Sequence, residues 1–403
     1  MELFWLEHKK LWRKKIVKIC VLLCFVYCVI FGSILSFQWF CFGSSDDYTS
    51  AFGNNFDGYT VIKDSQEYAL SFGGELTDET LQKIVSDYQQ MEADGMEEEL
   101  EKTDWQIVNS WLGTLYPELR DTSNYKTMIS YVDPDKLTGF YERRQQVLDE
   151  FLEVSGQVGA EKEFLHQIER KVEKPFRYEW VEGWSTLLGS MVADLGVVMA
   201  LFLGIVLSSL FAGEWHDNTS TLVLTTRNGW GKIALAKILT GLAFTVELFA
   251  LLAVSNVISQ LFFMGTAGWD MPIQNIKLIA VAPMNMLQAE IYEYAFVLLG
   301  AIGFAGIVMF ISAAVKNNVL TLLLSLAVVY GPMMIAEYLP YEMQKALDLI
   351  PLVGSSTDIF RTNTFRILGK LIWSPYLLIT IPVLIGILCM PFAIKSWSRR
   401  MKA

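Results

Sequence analysis

Long apolar runs recur along this chain, broken by short polar segments and by one long polar interval. A helix needs about 20 apolar residues to cross a bilayer core. Six stretches reach that length: 16–40, 185–212, 233–264, 291–315, 318–337 and 373–395. The pattern predicts six transmembrane helices. The fourth and fifth are separated only by Lys316-Asn317-Asn318, which predicts a tight hairpin.

The polar interval, residues 41–184, predicts a separate and mostly helical domain. In ELTDETLQKIVSDYQQM, Leu76, Leu81, Ile84 and Tyr88 fall at helical spacing, with Thr77 or Asp78 as N-cap. In TDWQIVNSWLGTLY, Trp105, Val108, Trp111 and Leu115 share a face. Residues 138–170 predict a third helix with Phe140, Val147, Phe151 and Leu165 inward. The run Glu97-Glu98-Glu99-Leu100-Glu101 reads as a solvated face, with a cation or basic-peptide site as the sharper alternative.

Composition agrees with the pattern. The chain is 53% hydrophobic and 19% charged, with mean hydropathy +0.35, values that exclude an ordinary soluble protein. The net charge of −11 is unevenly spread. Residues 41–183 hold 30 acids against 13 bases, and the remainder holds 13 acids against 19 bases. An acidic domain is thus set into a basic membrane domain, which argues against nucleic acid as a partner. Cysteine is absent from residues 42–183, so the domain is not a disulfide scaffold. Cys20, Cys24 and Cys28 are spaced to share one helix face and read as packing residues.

Lysine and arginine set the sidedness. Lys9, Lys10, Arg13, Lys14, Lys15 and Lys18 flank the first span, and Lys395, Arg399, Arg400 and Lys402 follow the last. Both termini are expected in the cytoplasm of a multi-pass plasma-membrane protein. That orientation makes residues 41–184, 265–290 and 338–372 extracellular. The N-terminal run is too long for a cleaved signal. Residues 1–15 instead predict an amphipathic helix lying at the interface, with Leu3, Phe4, Trp5, Leu6, Leu11 and Trp12 toward lipid and the lysines toward water.

Charges inside the spans are candidates for function by default. Asp194 and Glu247 are the two, as pathway or coupling residues or as structural hydrogen-bonding groups. Glu290 and Glu293 are expected to be wet, flanking the fourth span. Gly300, Gly303 and Gly306 repeat every three residues and predict close helix packing, with a hinge as the alternative. His8, His166 and His216 are isolated in sequence, and no metal-binding or catalytic spacing occurs.

The polar stretch GEWHDNTSTLVLTTRNGWGKIALAK, residues 213–237, would lie on the cytoplasmic side between the second and third spans. It predicts a short amphipathic helix followed by a turn at Arg227-Asn228-Gly229. This stretch resembles the matching segment of type-2 ABC exporter permeases. The shared features are an acid ending the second span (Glu214), a Thr/Leu-rich helix (Thr219 to Thr226), an Arg-containing turn (Arg227) and a Lys opening the third span (Lys232 or Lys237). An N-terminal elbow helix, six spans, Pro382 in the last span and a polar, re-entrant 338–372 region are similar as well. The long insert after the first span looks like that of Gram-positive permeases for peptide, bacteriocin or drug export.

The resemblance implies a dimer, homomeric or heteromeric, each half bound to a separate cytoplasmic ATPase that carries ATP and Mg. Residues 213–232 would be the coupling helix, with Glu214, Trp215, Leu222, Leu224, Arg227, Asn228, Gly229 and Lys232 facing the ATPase. The chain has no G-x-x-x-x-G-K-[ST]; GWGK at 229–232 lacks the spacing, so it is expected to be a non-enzymatic transport subunit without a cofactor of its own. The alternatives are an ion-coupled secondary transporter using Asp194 and Glu247, or a receptor or scaffold whose extracellular domain binds a ligand.

Overall fold

The structure is a computed structural model. It describes residues 2–27, 66, 73–96, 105–121, 123, 126–188, 192–216, 231–354, 360 and 363–399. The chain is mainly helical, and among the described residues five helices are long and apolar enough to cross a membrane.

Helix α1 (Glu2–Arg13) opens the chain, and residues 15–27 continue as helix after a bend at Lys14. The rest of the predicted first span, 28–40, lies outside the described residues. Cys20 and Cys24 are buried free thiols, as their spacing predicts.

In the inserted domain, β1 (Gly74–Glu75) precedes α2 (Asp78–Ala93) and α3 (Trp105–Leu115). Both predicted caps are used, on different helices. Thr77 accepts from the Thr80 N–H and caps α2. Asp78 accepts from the Gly139 and Phe140 N–H groups and caps α4 (Phe140–Val154). Trp105, Val108, Trp111 and Leu115 are all buried, as the periodicity requires.

The predicted third helix is two. α4 ends at Ser155, Gly156 (φ +72) turns the chain, and α5 (Ala160–Glu169) follows Gly159 (φ +60). Glycine takes these left-handed values without Cβ strain, so the pair ends one helix and starts another. Within α4 the buried stripe is Phe140, Arg144, Leu148 and Leu152, which leaves Phe151 exposed, and Leu165 of α5 is in the core. β2 (Arg177–Tyr178) pairs antiparallel with β1 and closes the domain.

After α6 (Glu182–Thr186) come α7 (Val192–His216), α8 (Lys232–Met264), α9 (Met286–Ala314) and α10 (Asn318–Ala336). Then follow α11 (Tyr341–Leu347), the hairpin β3 (Thr364–Ile367) and β4 (Lys370–Trp373), and α12 (Ser374–Arg399). Helix α7 runs past Gly213 to His216, so Glu214 sits in its last turn rather than in a loop.

The spans cross closely where glycine allows it. A Cβ on Gly303 would stand 2.3 Å from the Pro382 carbonyl, and one on Gly306 would stand 2.4 Å from the Gly386 carbonyl. Gly303 and Gly306 therefore form the seam between α9 and α12, while Gly300 packs against Leu352, which fits the packing reading of the repeat.

Two sets of contacts form at opposite ends of the spans. At one end, Trp397 of α12 packs on Phe211 and Trp215 of α7. At the other, the inserted domain grips the 265–285 loop. Trp111 donates to the Asn275 carbonyl, and buried Arg144 donates to Leu278 and Ala280 carbonyls and to Glu169. The β3–β4 hairpin joins the same assembly through Thr364 to Gln157 and Arg366 to Glu161. The inserted domain thus contacts both of the other intervals expected on its side of the membrane.

Candidate functional site

At the Glu214 end, four charged residues from three helices meet. Lys237 Nζ, only 2% exposed, lies 2.8 Å from Glu7 Oε2 and 2.8 Å from Glu214 Oε1. Lys10 Nζ lies 2.5 Å from the same Glu214 oxygen. Glu214 and Lys237 are buried and neutralise each other, with Glu7 and the half-exposed Lys10 as further partners at the rim; an unpaired charge at the buried pair would cost several kcal/mol. Lys14 Nζ donates to Ser209 Oγ at 3.0 Å and extends the contact along α7.

The placement follows from helical spacing. Glu7, Lys10, Leu11 and Lys14 recur at i, i+3, i+4 and i+7 and form one stripe of α1. They line a small cleft with Ser209, Leu210, Gly213, Glu214 and Lys237. This reverses part of the amphipathic expectation. Trp5 and Leu6 do face outward, but Leu11 is buried, and the charged stripe turns into the protein. The reason is the acid and the lysine in the end turns of α7 and α8, which need partners once buried.

A second contact holds α1 farther along α8. Trp12 Nε1 donates to Glu247 Oε2 at 3.0 Å, and His8 Nε2 lies 3.2 Å from Glu247 Oε1. The Trp12 ring also meets Phe244 edge-on. Glu247, foreseen as a pathway carboxylate, is placed on the flank of α8 against α1. Asp194 lies in α7, and its side chain falls outside the described residues.

Trp215 extends the cluster to the other spans. Lys316, at the α9–α10 turn, stands over its ring at 4.2 Å, and Trp397 packs at 6.0 Å. Deeper, Ser312 Oγ of α9 donates to the Ser208 carbonyl and accepts from the Phe211 and Ala212 N–H groups. These bonds fix the last turns of α7 to α9.

Of the foreseen coupling residues, the structure brings together Glu214 and Trp215. Lys237 rather than Lys232 pairs with Glu214; Lys232 is exposed one turn earlier. Leu222, Leu224, Arg227, Asn228 and Gly229 lie outside the described residues. Sequence reasoning missed Glu7, Lys10 and Lys316 as partners. The i, i+3, i+7 charges of the first helix were the available signal. Among the described residues no group of three His, Cys, Asp or Glu could hold a metal.

At the opposite end, Glu290 and Glu293 correct the expectation of wet carboxylates, being 4% and 5% exposed. The helix starts at Met286, five residues before the apolar run, so both acids lie within its packed first turns.

Compared with known protein families, curated proteins and solved structures, the chain gives no match.

Proposed function

We propose that this chain is the permease subunit of an ATP-driven ABC exporter, in which the cytoplasmic 213–232 segment seats in a separate ATPase. The observation that carries the reading is the Glu7–Lys10–Glu214–Lys237 cluster. Glu214 stands three residues before the 217–230 stretch, and Lys237 stands seven after it. The cluster clamps the two arms of that stretch to each other and to α1. Through Trp215 the same arms touch the α9–α10 turn and α12.

A partner that displaces residues 217–230 therefore pulls on α1 and on all five apolar helices, either directly or through Ser312 and Lys316. That is what ATP-driven closure of a partner would require, because interfaces respond as packed units rather than as independent loops. Helix α1 is the elbow at the cytoplasmic interface, and the acidic domain with the 265–285 and 341–373 segments forms the extracellular assembly. Helices α10 and α12 leave most of their apolar length uncovered, including Leu323, Met334, Leu384 and Leu388. Lipid and a second permease copy are the partners that such surfaces fit.

The test is affinity capture of the tagged chain from native membranes in mild detergent, with partners identified by mass spectrometry. Wild type retains a nucleotide-binding ATPase, and Arg227→Glu loses it. Intact wild-type protein that retains no ATPase overturns the proposal and favours the ion-coupled reading.

A further inference from the structure

The structure sorts the six cations that flank the first span into two sets. Two are engaged by α7: Lys10 by Glu214 and Lys14 by Ser209. The other four, Lys9, Arg13, Lys15 and Lys18, are exposed, and no ion pair among the described residues holds any of them. Helical spacing explains the split. Trp5, Lys9 and Arg13 recur at i, i+4 and i+8 on the outward face of α1, and the latter two stand opposite buried Leu11. Past the bend at Lys14, Lys15, Lys18 and Leu22 recur at i, i+3 and i+7, opposite buried Val17, Cys20 and Cys24.

The contacts of α1 set the depth of this face. Lys14 touches Ser209, seven residues before the end of α7 at His216 and about 10 Å along the helix at 1.5 Å per residue. Trp12 reaches Glu247, fifteen residues past the start of α8 at Lys232. The bend is therefore level with the inner turns of the spans and not out in bulk water. Its cations stand beside Ile16, Ile19 and Leu22, which are 50%, 51% and 61% exposed. In a bilayer, cations so placed reach headgroups while their aliphatic stems lie along acyl chains.

We propose that the outward face of the α1 bend is a binding site for an acidic phospholipid. Lys9, Arg13, Lys15 and Lys18 take its phosphate and headgroup charge, and Ile16, Ile19 and Leu22 take its acyl chains. Charge complementarity selects the occupant. Four cations without an acid of their own attract a net anionic headgroup, whereas a zwitterionic one brings an ammonium that they repel. The Arg13 guanidinium offers a phosphate two parallel donors. The exposed apolar residues beside the cations select a lipid over free phosphate. The inner side of the same helix carries Glu7 and Lys10, which hold Lys237 and Glu214, so lipid on the outer side steadies α1 against α7 and α8. The inference rests on the membrane reading and not on the ATPase.

The experiment is thermal unfolding of the full chain in mild detergent at low salt, followed by tryptophan fluorescence. Phosphatidylglycerol or phosphatidylcholine with the same acyl chains is added in steps, and inorganic phosphate is the third arm. Wild type gains a saturable rise in midpoint of ~2 °C or more with phosphatidylglycerol alone. Arg13→Gln and Lys18→Gln each raise the lipid concentration at half-effect by ~5-fold. The variant with all four cations changed to Gln loses the rise; if it does not fold, the single variants carry the test. Lys370→Gln, exposed on the β3–β4 hairpin, leaves the rise unchanged. Equal rises with the two lipids, a rise reproduced by inorganic phosphate, or a half-effect concentration unmoved in the single variants would overturn the proposal. Variants that keep the lipid response and lose ATPase capture would overturn it too and assign the face to the ATPase. The unfolding readout involves no ATPase, so failure of the coupling proposal would leave this one standing.

Discussion

Gly306→Ala adds a single methyl to α9, and the structure gives its consequence. The new Cβ would lie 2.4 Å from the Gly386 carbonyl oxygen and 2.7 Å from Gly386 C and Cα. These are backbone atoms, so no rotamer change relieves the contact. Ordinary contact at about 3.4 Å requires α9 and α12 to separate by roughly 1 Å, which opens the seam along its length. Overpacking of this kind costs about 1–3 kcal/mol, and the better helix propensity of alanine returns about 1 kcal/mol. The expected net loss is about 1–2 kcal/mol, read as a midpoint several degrees lower in thermal unfolding. Gly113→Ala in α3 is the matched control, because its Cβ meets nothing within 4 Å and the position is exposed. It should be neutral or stabilise by up to about 1 kcal/mol. Gly303→Ala combined with Gly386→Ala should cost less than the sum of the two, since one separation accommodates both. Equal midpoints for Gly306→Ala and Gly113→Ala would refute the close crossing.

Arg144→Met should destabilise the inserted domain by about 3 kcal/mol, the low end for breaking a buried ion pair, because Lys174 still reaches Glu169 at 2.8 Å; faster hydrogen exchange in both 73–188 and 265–285 would show it. Acid should loosen the same junction. Burial pushes the Glu169 carboxyl up, but hydrogen bonds from Lys174 and Arg144 outweigh it and hold the group below the ordinary carboxylate value. A depressed folded value means the stabilisation is present above the unfolded pKa of ~4.3 and is lost as pH falls through the folded value; Glu169→Gln should be less stable at pH 7 and should show a weaker dependence in that acid window. Leu368→Cys, at a fully exposed hairpin tip, should react with an impermeant maleimide in intact cells, and Lys316→Cys should react only after permeabilisation; the opposite pattern would invert the topology.

Much of the fold was legible because hydrophobic length is a coarse and robust signal. Residues 232–264, 318–336 and 374–399 match their predicted spans within a few residues, since the apolar runs end at charge or at a cap such as Asn317. The helix starts were less legible. Asn285 and Gln288 form a capping box that carries α9 outward past its apolar run, and this buries Glu290 and Glu293. The split of 138–170 depended on two glycines whose positive φ no periodicity encodes. At the candidate site, Glu214 and Trp215 were legible from their position after an apolar run. Their partners were not, because Glu7 and Lys10 are more than 200 residues away and a basic helix start reads equally well as a topology signal. The partners of Glu247 were illegible for a related reason: position along a helix gives depth, but not the identity of the helix that covers it, here α1 through Trp12.

The most direct test of the coupling account is a photo-reactive residue placed at Leu224, with cross-linking in native membranes and identification of the adduct by mass spectrometry. The account predicts a covalent adduct to a soluble ATPase that bears a phosphate-binding loop, with a yield that changes when ATP is added. An adduct only to lipid, or labelling of this position from outside intact cells, would contradict it.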